Sequence, residues 1–266
     1  MSGPRIGSLC TGYGGLDDAV QQVLGGELAW VADPDPGAAA ILAHHHPTVR
    51  NLGDITATDW TTVEPVDALT AGFPCQDVSV AGLRAGIAPG TRSGLWAHVA
   101  RAIQALNPRI VVIENVRGLL SQPADRGMGP GGTPLAESEP GPLRALGAVL
   151  GDLADLGFDA EWLGLPASDP RIGAPHERWR EFILAWPAAE DPYRPAREER
   201  RPAAPGQAQG RGARATAVPG LDREAQLRAI GNGVVPRQAV LALRLLLARA
   251  PEAAAGPPVS CPAPAA

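Results

Sequence analysis

The sequence predicts an α/β protein with a mostly parallel, twisted sheet, one antiparallel strand and helices on both faces. Two observations support this prediction: short apolar runs alternate with segments of helical periodicity, and a glycine turn separates the first run from the first helix. Parallel strands require helical crossovers, which then cover both faces of the sheet. A chain of 266 residues is long enough for one such domain, with at most a small appendage.

The predicted elements follow one another in the order that this architecture requires. Apolar or β-branched runs predict strands at 5–10, 27–32, 65–72, 109–113 and 159–165, and a third strand that ends at 53–56. Helical periodicity predicts helices at 17–24, 36–46, 94–106 and 143–156, and a last apolar helix that ends at 247. Residues 172–186 are expected to form a turn into an antiparallel strand, with Arg178 and Arg180 on one side of its pleat.

Three stretches lack such periodicity. Residues 121–142 are rich in proline and glycine and are predicted to form a flexible insertion. Residues 187–222, rich in Pro, Arg and Ala, indicate a linker or a very small module. Residues 251–266 are expected to be a disordered tail. Residues 223–250, between the last two of these stretches, are predicted to form a C-terminal motif and a helix that belong to the main domain.

Charge is distributed unevenly along the chain. The net charge is −5, and all 23 basic residues are arginine. Residues 171–250 nevertheless hold 14 arginines against 8 acidic residues, while the remainder of the chain is acidic. A basic C-terminal third on an acidic body indicates an anionic partner that is held from one side.

The cysteines and histidines indicate neither disulfide bonds nor a metal site. The three cysteines, Cys10, Cys75 and Cys261, have unrelated spacings. The adjacent histidines at 44–46 point in different directions on a helix, so they cannot share one metal ion. Since the sequence has no run of 18 apolar residues and no signal peptide, we expect no membrane span and a reduced, cytoplasmic setting.

The first glycine turn and two acidic residues predict a nucleotide-type cofactor. Gly12, Gly14 and Gly15 lie between the first strand and the first helix, where the backbone can approach such a ligand closely. Asp33 ends the second strand about twenty residues later, which is the spacing of an acid that accepts hydrogen bonds from ribose hydroxyls. Asp54, at the end of the third predicted strand, could contact the adenine end of the same ligand.

Cys75 and Glu114 are candidates for catalysis because each lies at the C-terminal edge of a predicted strand. Pro74 fixes the backbone before Cys75, so that the thiol is aimed out of the sheet edge at the start of a loop. A thiol in that place suits a nucleophile, although this stretch alone is equally compatible with a buried structural cysteine. Glu114 lies at the C-terminal edge of the next strand, which ends in Glu114-Asn115-Val116. It would lie beside the thiol in a doubly wound sheet, the alternative being a surface carboxylate.

Together these motifs resemble the cytosine-5 DNA methyltransferase family. The motifs that match, in the family's order, are Gly12-x-Gly14-Gly15, Pro74-Cys75-Gln76, Glu114-Asn115-Val116, the arginines Arg178 and Arg180, and Gly231-Asn232. The resemblance covers 1–186 and 223–250. It implies a Rossmann-like class I methyltransferase fold with a catalytic domain at 1–186. It also implies that this domain transfers a methyl group from S-adenosylmethionine to C5 of cytosine in DNA.

The resemblance also implies a set of site residues. Those expected at the cofactor are Cys10, Gly12, Gly14, Gly15, Asp33, Asp54, Ile55, Pro74, Leu95, Asn232 and Val234. Those expected at double-stranded DNA are Gln76, Ser79, Arg84 and Arg92. They belong to a loop at 76–94 that would close behind a flipped-out base. No metal ion is implied.

The chemistry that the resemblance implies gives each catalytic residue a role. The thiolate of Cys75 would add to C6 of cytosine, which makes C5 nucleophilic. Glu114, as a carboxylic acid with a raised pKa, would protonate N3. Arg180 would bind O2 and stabilise the negative charge that spreads onto it, and Arg178 would orient that arrangement.

The sequence also departs from the family in three places. Cys10 stands where the family usually has Phe, and His176 stands where it usually has Gln. Where the family carries a substantial target-recognition domain, only 187–222 are available. This implies a short or relaxed DNA site, or recognition by a separate specificity partner.

The remaining expectations concern partners and alternative functions. A cognate restriction enzyme is a further possible partner, and we expect the protein to be a monomer. The alternative functions are a catalytically silent protein that binds cofactor or DNA, and a cytosine-5 methyltransferase acting on RNA.

Overall fold

The computed structural model describes residues 3–73, 94–117, 119, 145–188, 218, 220–224 and 233–250. These residues form seven strands: β1 (Arg5–Leu9), β2 (Glu27–Ala32), β3 (Arg50–Asn51), β4 (Ala68–Ala71), β5 (Ile110–Val116), β6 (Phe158–Leu165) and β7 (Arg180–Pro187). They also form five longer helices: α1 (Gly15–Leu24), α2 (Pro36–His45), α3 (Leu95–Leu106), α4 (Ala145–Asp155) and α5 (Pro236–Leu247).

The seven strands form one sheet in the order β3-β2-β1-β4-β5-β7-β6. Strands β1 to β5 pair in parallel, whereas β7 is antiparallel to both of its neighbours, β5 and β6. The chain first moves outward from β1 to β3 and then returns to place β4 on the other side of β1. The carboxyl ends of β1 and β4 therefore flank a topological switch point, where doubly wound folds bind their ligands.

Helices cover both faces of this sheet. One buried cluster packs α3 and α4 against side chains such as Leu69 and Ile113, and the other packs α1 and α5 against side chains such as Val112 and Phe182. In β5, neighbouring residues enter opposite clusters because side chains alternate across a strand. The predicted fold class is thus confirmed. No helix of the described residues has the length and apolar character needed to cross a membrane.

Most predicted elements agree with the structure to within a few residues, but the end of the third strand differs. The third strand stops at Asn51, before the predicted 53–56, because side chains close turns there: Gly53 N–H donates to Asn51 Oδ1 and Thr56 N–H to Asp54 Oδ1. Strand β5 ends in Glu114, Asn115 and Val116, as predicted, and these three residues pair with residues of β7. Glu114 therefore lies close to the carboxyl end of the strand.

The insertion predicted at 121–142 and the tail at 251–266 lie outside the described residues, as does most of the 187–222 segment. The division of the chain into these segments stays a prediction.

Candidate active site

A cleft lies at the carboxyl ends of β1, β4 and β5. The described residues that line it are Ser8, Leu9, Cys10, Thr11, Gly12, Gly15, Leu16, Thr70, Gly72, Glu114, Gly233 and Val234. The cleft therefore joins the predicted cofactor turn, the predicted catalytic acid and the C-terminal segment. Among the described residues, no cluster of three or more His, Cys, Asp or Glu is placed to hold a metal ion.

The glycine turn forms one wall of the cleft. Gly12 and Gly14 have φ values of 57° and 87°, in the left-handed region that favours glycine. Helix α1 begins at Gly15, so its first backbone N–H groups lie at this wall, where a helix N-terminus favours anionic groups. A Cβ on Gly15 would lie 2.7 Å from Val234 O. Glycine is therefore required for the close approach of the C-terminal segment.

Asp33 links the end of β2 to the glycine turn. Its Oδ2 accepts a hydrogen bond of 2.7 Å from Gly12 N–H, and its Oδ1 accepts one of 2.9 Å from Asp35 N–H. Burial raises the pKa of Asp33, and the two backbone hydrogen bonds oppose that shift. These bonds use two of the roughly four acceptor positions of a carboxylate, so the group can still accept from a ribose diol.

We expect Asp33→Ala to weaken binding of S-adenosylmethionine about ten- to a hundredfold, because hydrogen bonds to a charged group are lost. Isothermal titration calorimetry of the folded variant measures this. Asp35→Ala is the matched control, since the Asp35 side chain caps α2 at Ala38 N–H. It should lower the melting temperature and leave cofactor affinity within about twofold; equal losses of affinity in both variants would contradict the assignment.

Three residues predicted at the cofactor, Asp54, Ile55 and Leu95, do not line the cleft. Asp54 is exposed, and its hydrogen bond from Thr56 N–H lowers its pKa. Ile55 belongs to the buried cluster that packs α3 and α4 against the sheet, and Leu95 packs against that cluster. His98 of α3 is close enough to contribute to the lowered pKa of Asp54. The structure thus brings the loop after β3 next to α3, and the contacts of these residues with a cofactor stay predictions.

Glu114 has the environment of a carboxylic acid that can be protonated near neutral pH. The residue is only 6% exposed, and burial raises its pKa from 4.5 to about 6. The charges of Arg180 and Arg178 oppose this shift, with Arg180 Nε lying 2.6 Å from Glu114 Oε1. The other oxygen faces the end of β4, since a Cβ on Gly72 would lie 3.7 Å from Oε2. Glu114 and Arg180 therefore form one acid–arginine pair at the cleft.

The prediction that Arg178 and Arg180 lie on one side of the pleat of β7 is wrong. Strand β7 begins at Arg180, whereas Arg178 lies before it with a φ of 20°. The charges of both guanidinium groups still oppose the rise in the pKa of Glu114. Arg178 Nη2 also donates a hydrogen bond to Gly233 O, which connects the arginine motif to the C-terminal segment. This contact fits the orienting role expected of Arg178.

Several residues that position the site were not predicted. Asn115 Nδ2 donates a 2.9 Å hydrogen bond to Phe73 O, two residues before Cys75. Asn115 belongs to the Glu-Asn-Val motif, but the motif did not indicate that its side chain would bind the carbonyl of Phe73. Tyr13 donates a hydrogen bond to Val234 O, and buried Gln238 donates to Arg178 O at 3.0 Å. These bonds fix the C-terminal segment against the glycine turn and the arginine motif.

A buried network beneath the cleft was also not predicted. Asp17 in the first turn of α1 is 1% exposed. It accepts hydrogen bonds from Ser8 of β1 at 3.0 Å and from Thr70 of β4 at 2.5 Å. Ser8 and Thr70 are direct partners across the two parallel strands. Asp17 therefore ties the start of α1 to both strands of the switch point.

Seven predicted site residues lie outside the described residues: Pro74, Cys75, Gln76, Ser79, Arg84, Arg92 and Asn232. Their roles remain predictions. Six of the seven fall in the sequence between Phe73, which follows the cleft-lining Gly72, and Gly94, which precedes helix α3.

The strand order and the cleft at the switch point are those of a Rossmann-like, doubly wound fold. Residues 5–205 match the family described as C-5 cytosine-specific DNA methylase. Because the match covers well over half of the sequence, the chain belongs to this family. The resemblance inferred from the motifs is thereby confirmed.

Individual proteins show the same similarity over part of the chain. The type II methyltransferase M.NgoBV of Neisseria gonorrhoeae is 32% identical over 157 residues, covering 59% of this chain and 34% of that protein. A DNA N-6-adenine-methyltransferase of Escherichia phage P1 is 38% identical over 135 residues, covering 46% and 18%. The chain thus spans about a third or less of these relatives. The S. pombe Dnmt2 methyltransferase structure aligns with a TM-score of 0.49 at 19% identity, over 71% and 51% of the two chains.

Proposed function

We propose that the protein transfers a methyl group from S-adenosylmethionine to C5 of cytosine in double-stranded DNA. The observation that carries the proposal is the pair of Glu114 and Arg180. The Glu114 carboxyl is buried, has a pKa of about 6 and lies 2.6 Å from the guanidinium of Arg180. It opens onto the same cleft as the glycine turn. An acid and a cation side by side suit a pyrimidine ring that needs a proton at N3 and charge stabilisation at O2.

The groups in and beside the cleft support S-adenosylmethionine as the cofactor. The glycine turn offers backbone N–H groups at a helix N-terminus for a carboxylate, and Asp33 offers acceptors for a ribose diol. Gly72 leaves space between Cys10 O and Glu114 Oε2, where a Cβ would lie 3.5 Å and 3.7 Å from them. When bound, the cofactor supplies an electrophilic methyl group. Gly12, Gly15, Asp33 and Val234 would hold it.

The reaction on cytosine needs a nucleophile at C6. The Cys75 thiolate attacks C6 while Glu114 protonates N3, so that the electron pair of the 5,6 double bond becomes available at C5. After methylation, loss of the C5 proton to water and elimination of the Cys75 thiolate restore the 5,6 double bond, and the N3 proton returns to Glu114. Arg180 stabilises charge on O2 during both addition and elimination of the thiolate, and Arg178 keeps the Arg180 side chain in place.

The relative named as an adenine methyltransferase defines a second candidate function. An exocyclic amino group already has a nitrogen lone pair, so its methylation needs neither a thiol at C6 nor an acid at N3. This chain has both Cys75 and the Glu114–Arg180 pair. The similarity to that relative, moreover, covers only 18% of its length. Cytosine C5 is therefore the favoured target.

DNA is the proposed partner because the base must leave the stack to reach a buried acid. The excess of arginine at 171–250 supports an anionic partner on that side. Gln76, Ser79, Arg84 and Arg92 are proposed DNA contacts. The segment 187–222 is short for a sequence reader, which favours a relaxed site, or a separate specificity or restriction partner.

The test is methyl transfer from labelled S-adenosylmethionine to unmethylated duplex DNA, followed by mass spectrometry of the nucleosides and bisulfite sequencing. We expect label in 5-methylcytosine. Label in N6-methyladenine would replace the proposal with the adenine alternative, and transfer to RNA alone would assign an RNA substrate. Cofactor binding without any transfer would favour a silent protein.

A further inference from the structure

Arg117 and Trp179 form an arginine–tryptophan pair at the carboxyl edge of the sheet, outside the residues that line the cleft. The guanidinium carbon of Arg117 lies 5.2 Å from the centroid of the Trp179 ring. Arg117 directly follows β5 and is exposed, and Trp179 directly precedes β7 and is half-buried. The pair is therefore accessible at the edge of the sheet where β5 ends and β7 begins.

Buried groups beneath the pair fix the orientation of the tryptophan ring. Trp179 Nε1 donates a 2.7 Å hydrogen bond to Oε1 of Glu181, which is fully buried. Burial raises the pKa of Glu181, while the indole hydrogen bond and the charge of Arg117 oppose the shift. On β6, a Cβ at Gly164 would lie 2.6 Å from Trp179 Nε1 and 2.6 Å from Glu181 Oε2. Gly164 thus makes room for both side chains.

A guanidinium held over a ring by a cation–π contact keeps N–H groups for other partners. The fork of N–H donors on an arginine matches the geometry of two phosphate oxygens. Because Glu181 holds the ring, Arg117 loses less conformational freedom on binding than an unsupported surface arginine would. The pair is therefore organised in advance to bind an oxyanion.

The position of the pair identifies which oxyanion it meets. Arg117 lies three residues beyond Glu114, about 10 Å further along the strand direction at an extended rise. A flipped base enters the cleft while its sugar-phosphate backbone stays outside, over this edge. We propose that the arginine–tryptophan pair binds a phosphate of the DNA strand next to the target nucleotide. This inference rests on the proposed function.

The experiment compares two arginines at opposite ends of the same strand. Arg109, at the amino end of β5, is also exposed, so Arg109→Ala is the matched control for Arg117→Ala. Affinity of the full chain for a fluorescent, unmethylated duplex of mixed sequence is measured between about 50 and 200 mM salt. Arg117→Ala should weaken binding about tenfold and reduce the salt slope by about one, whereas Arg109→Ala should leave both unchanged.

Variants of the supporting residues test the role of the ring. Trp179→Ala should reproduce the affinity loss of Arg117→Ala, and adding Arg117→Ala to it should cost little more. Glu181→Gln keeps an oxygen acceptor for the indole N–H and should retain wild-type binding. Melting temperatures of all variants identify any loss of folding.

Two results distinguish failure of the inference from failure of the proposed function. If the wild-type chain binds and methylates DNA but Arg117→Ala keeps the full salt slope, the inference alone is wrong. If the wild-type chain does not bind duplex DNA at any of these salt concentrations, the proposed function is wrong and the inference with it.

Discussion

Replacement of Cys75 by alanine is expected to reduce methyl transfer to DNA by about 10⁴-fold or more, as removal of a catalytic nucleophile does in other enzymes. C5 of cytosine has no free electron pair until a nucleophile adds to C6, and alanine cannot add. Because the described part of the cofactor cleft is formed by other residues, S-adenosylmethionine should bind to Cys75→Ala with wild-type affinity.

Three measurements establish the role of Cys75. Single-turnover transfer of labelled methyl gives the rate, and calorimetry gives the cofactor affinity. Duplex DNA with 5-fluorocytosine should give a covalent adduct with the wild-type protein, since fluorine cannot leave as a proton does, and none with Cys75→Ala. Cys261→Ala controls for loss of a thiol and should behave as wild type. Methyl transfer by Cys75→Ala at more than a few per cent of the wild-type rate would refute the mechanism.

Replacement of Glu114 by glutamine is expected to lower the rate constant of transfer about 10²- to 10⁴-fold, the usual contribution of a general acid. Glutamine keeps the shape of the side chain beside Arg180 but cannot donate a proton to N3. Cofactor affinity should change little. Glu177→Gln is a suitable control, because Glu177 is an exposed glutamate next to Arg178.

The pH profile of transfer gives a second, independent readout for Glu114. Because burial raises its pKa to about 6, the acid form is complete well below pH 6 and falls tenfold per pH unit well above it. The thiolate of Cys75 increases with pH, so the wild-type profile should be bell-shaped. In Glu114→Gln the fall on the alkaline side should disappear. An unchanged profile in this variant would show that another group donates the proton.

The secondary-structure elements and part of the candidate site could be predicted from the sequence, because the signals are local. Alternation of apolar runs and helical periodicity placed the strands and helices within a few residues of their observed positions. The glycine turn and Asp33 were evident from spacing within one strand–turn–helix–strand unit. Glu114 was placed near the end of its strand by the β-branched run before it.

The tertiary structure alone decided how these pieces act together, because the decisive contacts join residues far apart in the sequence. The pairing of β5 with β7 includes Glu114, and burial between two layers raised the pKa of that residue. Asn115 reached Phe73, and Tyr13 reached Val234 across 221 residues. No local pattern encodes such partners, since hydrogen bonding and desolvation depend on what the folded chain places alongside a residue.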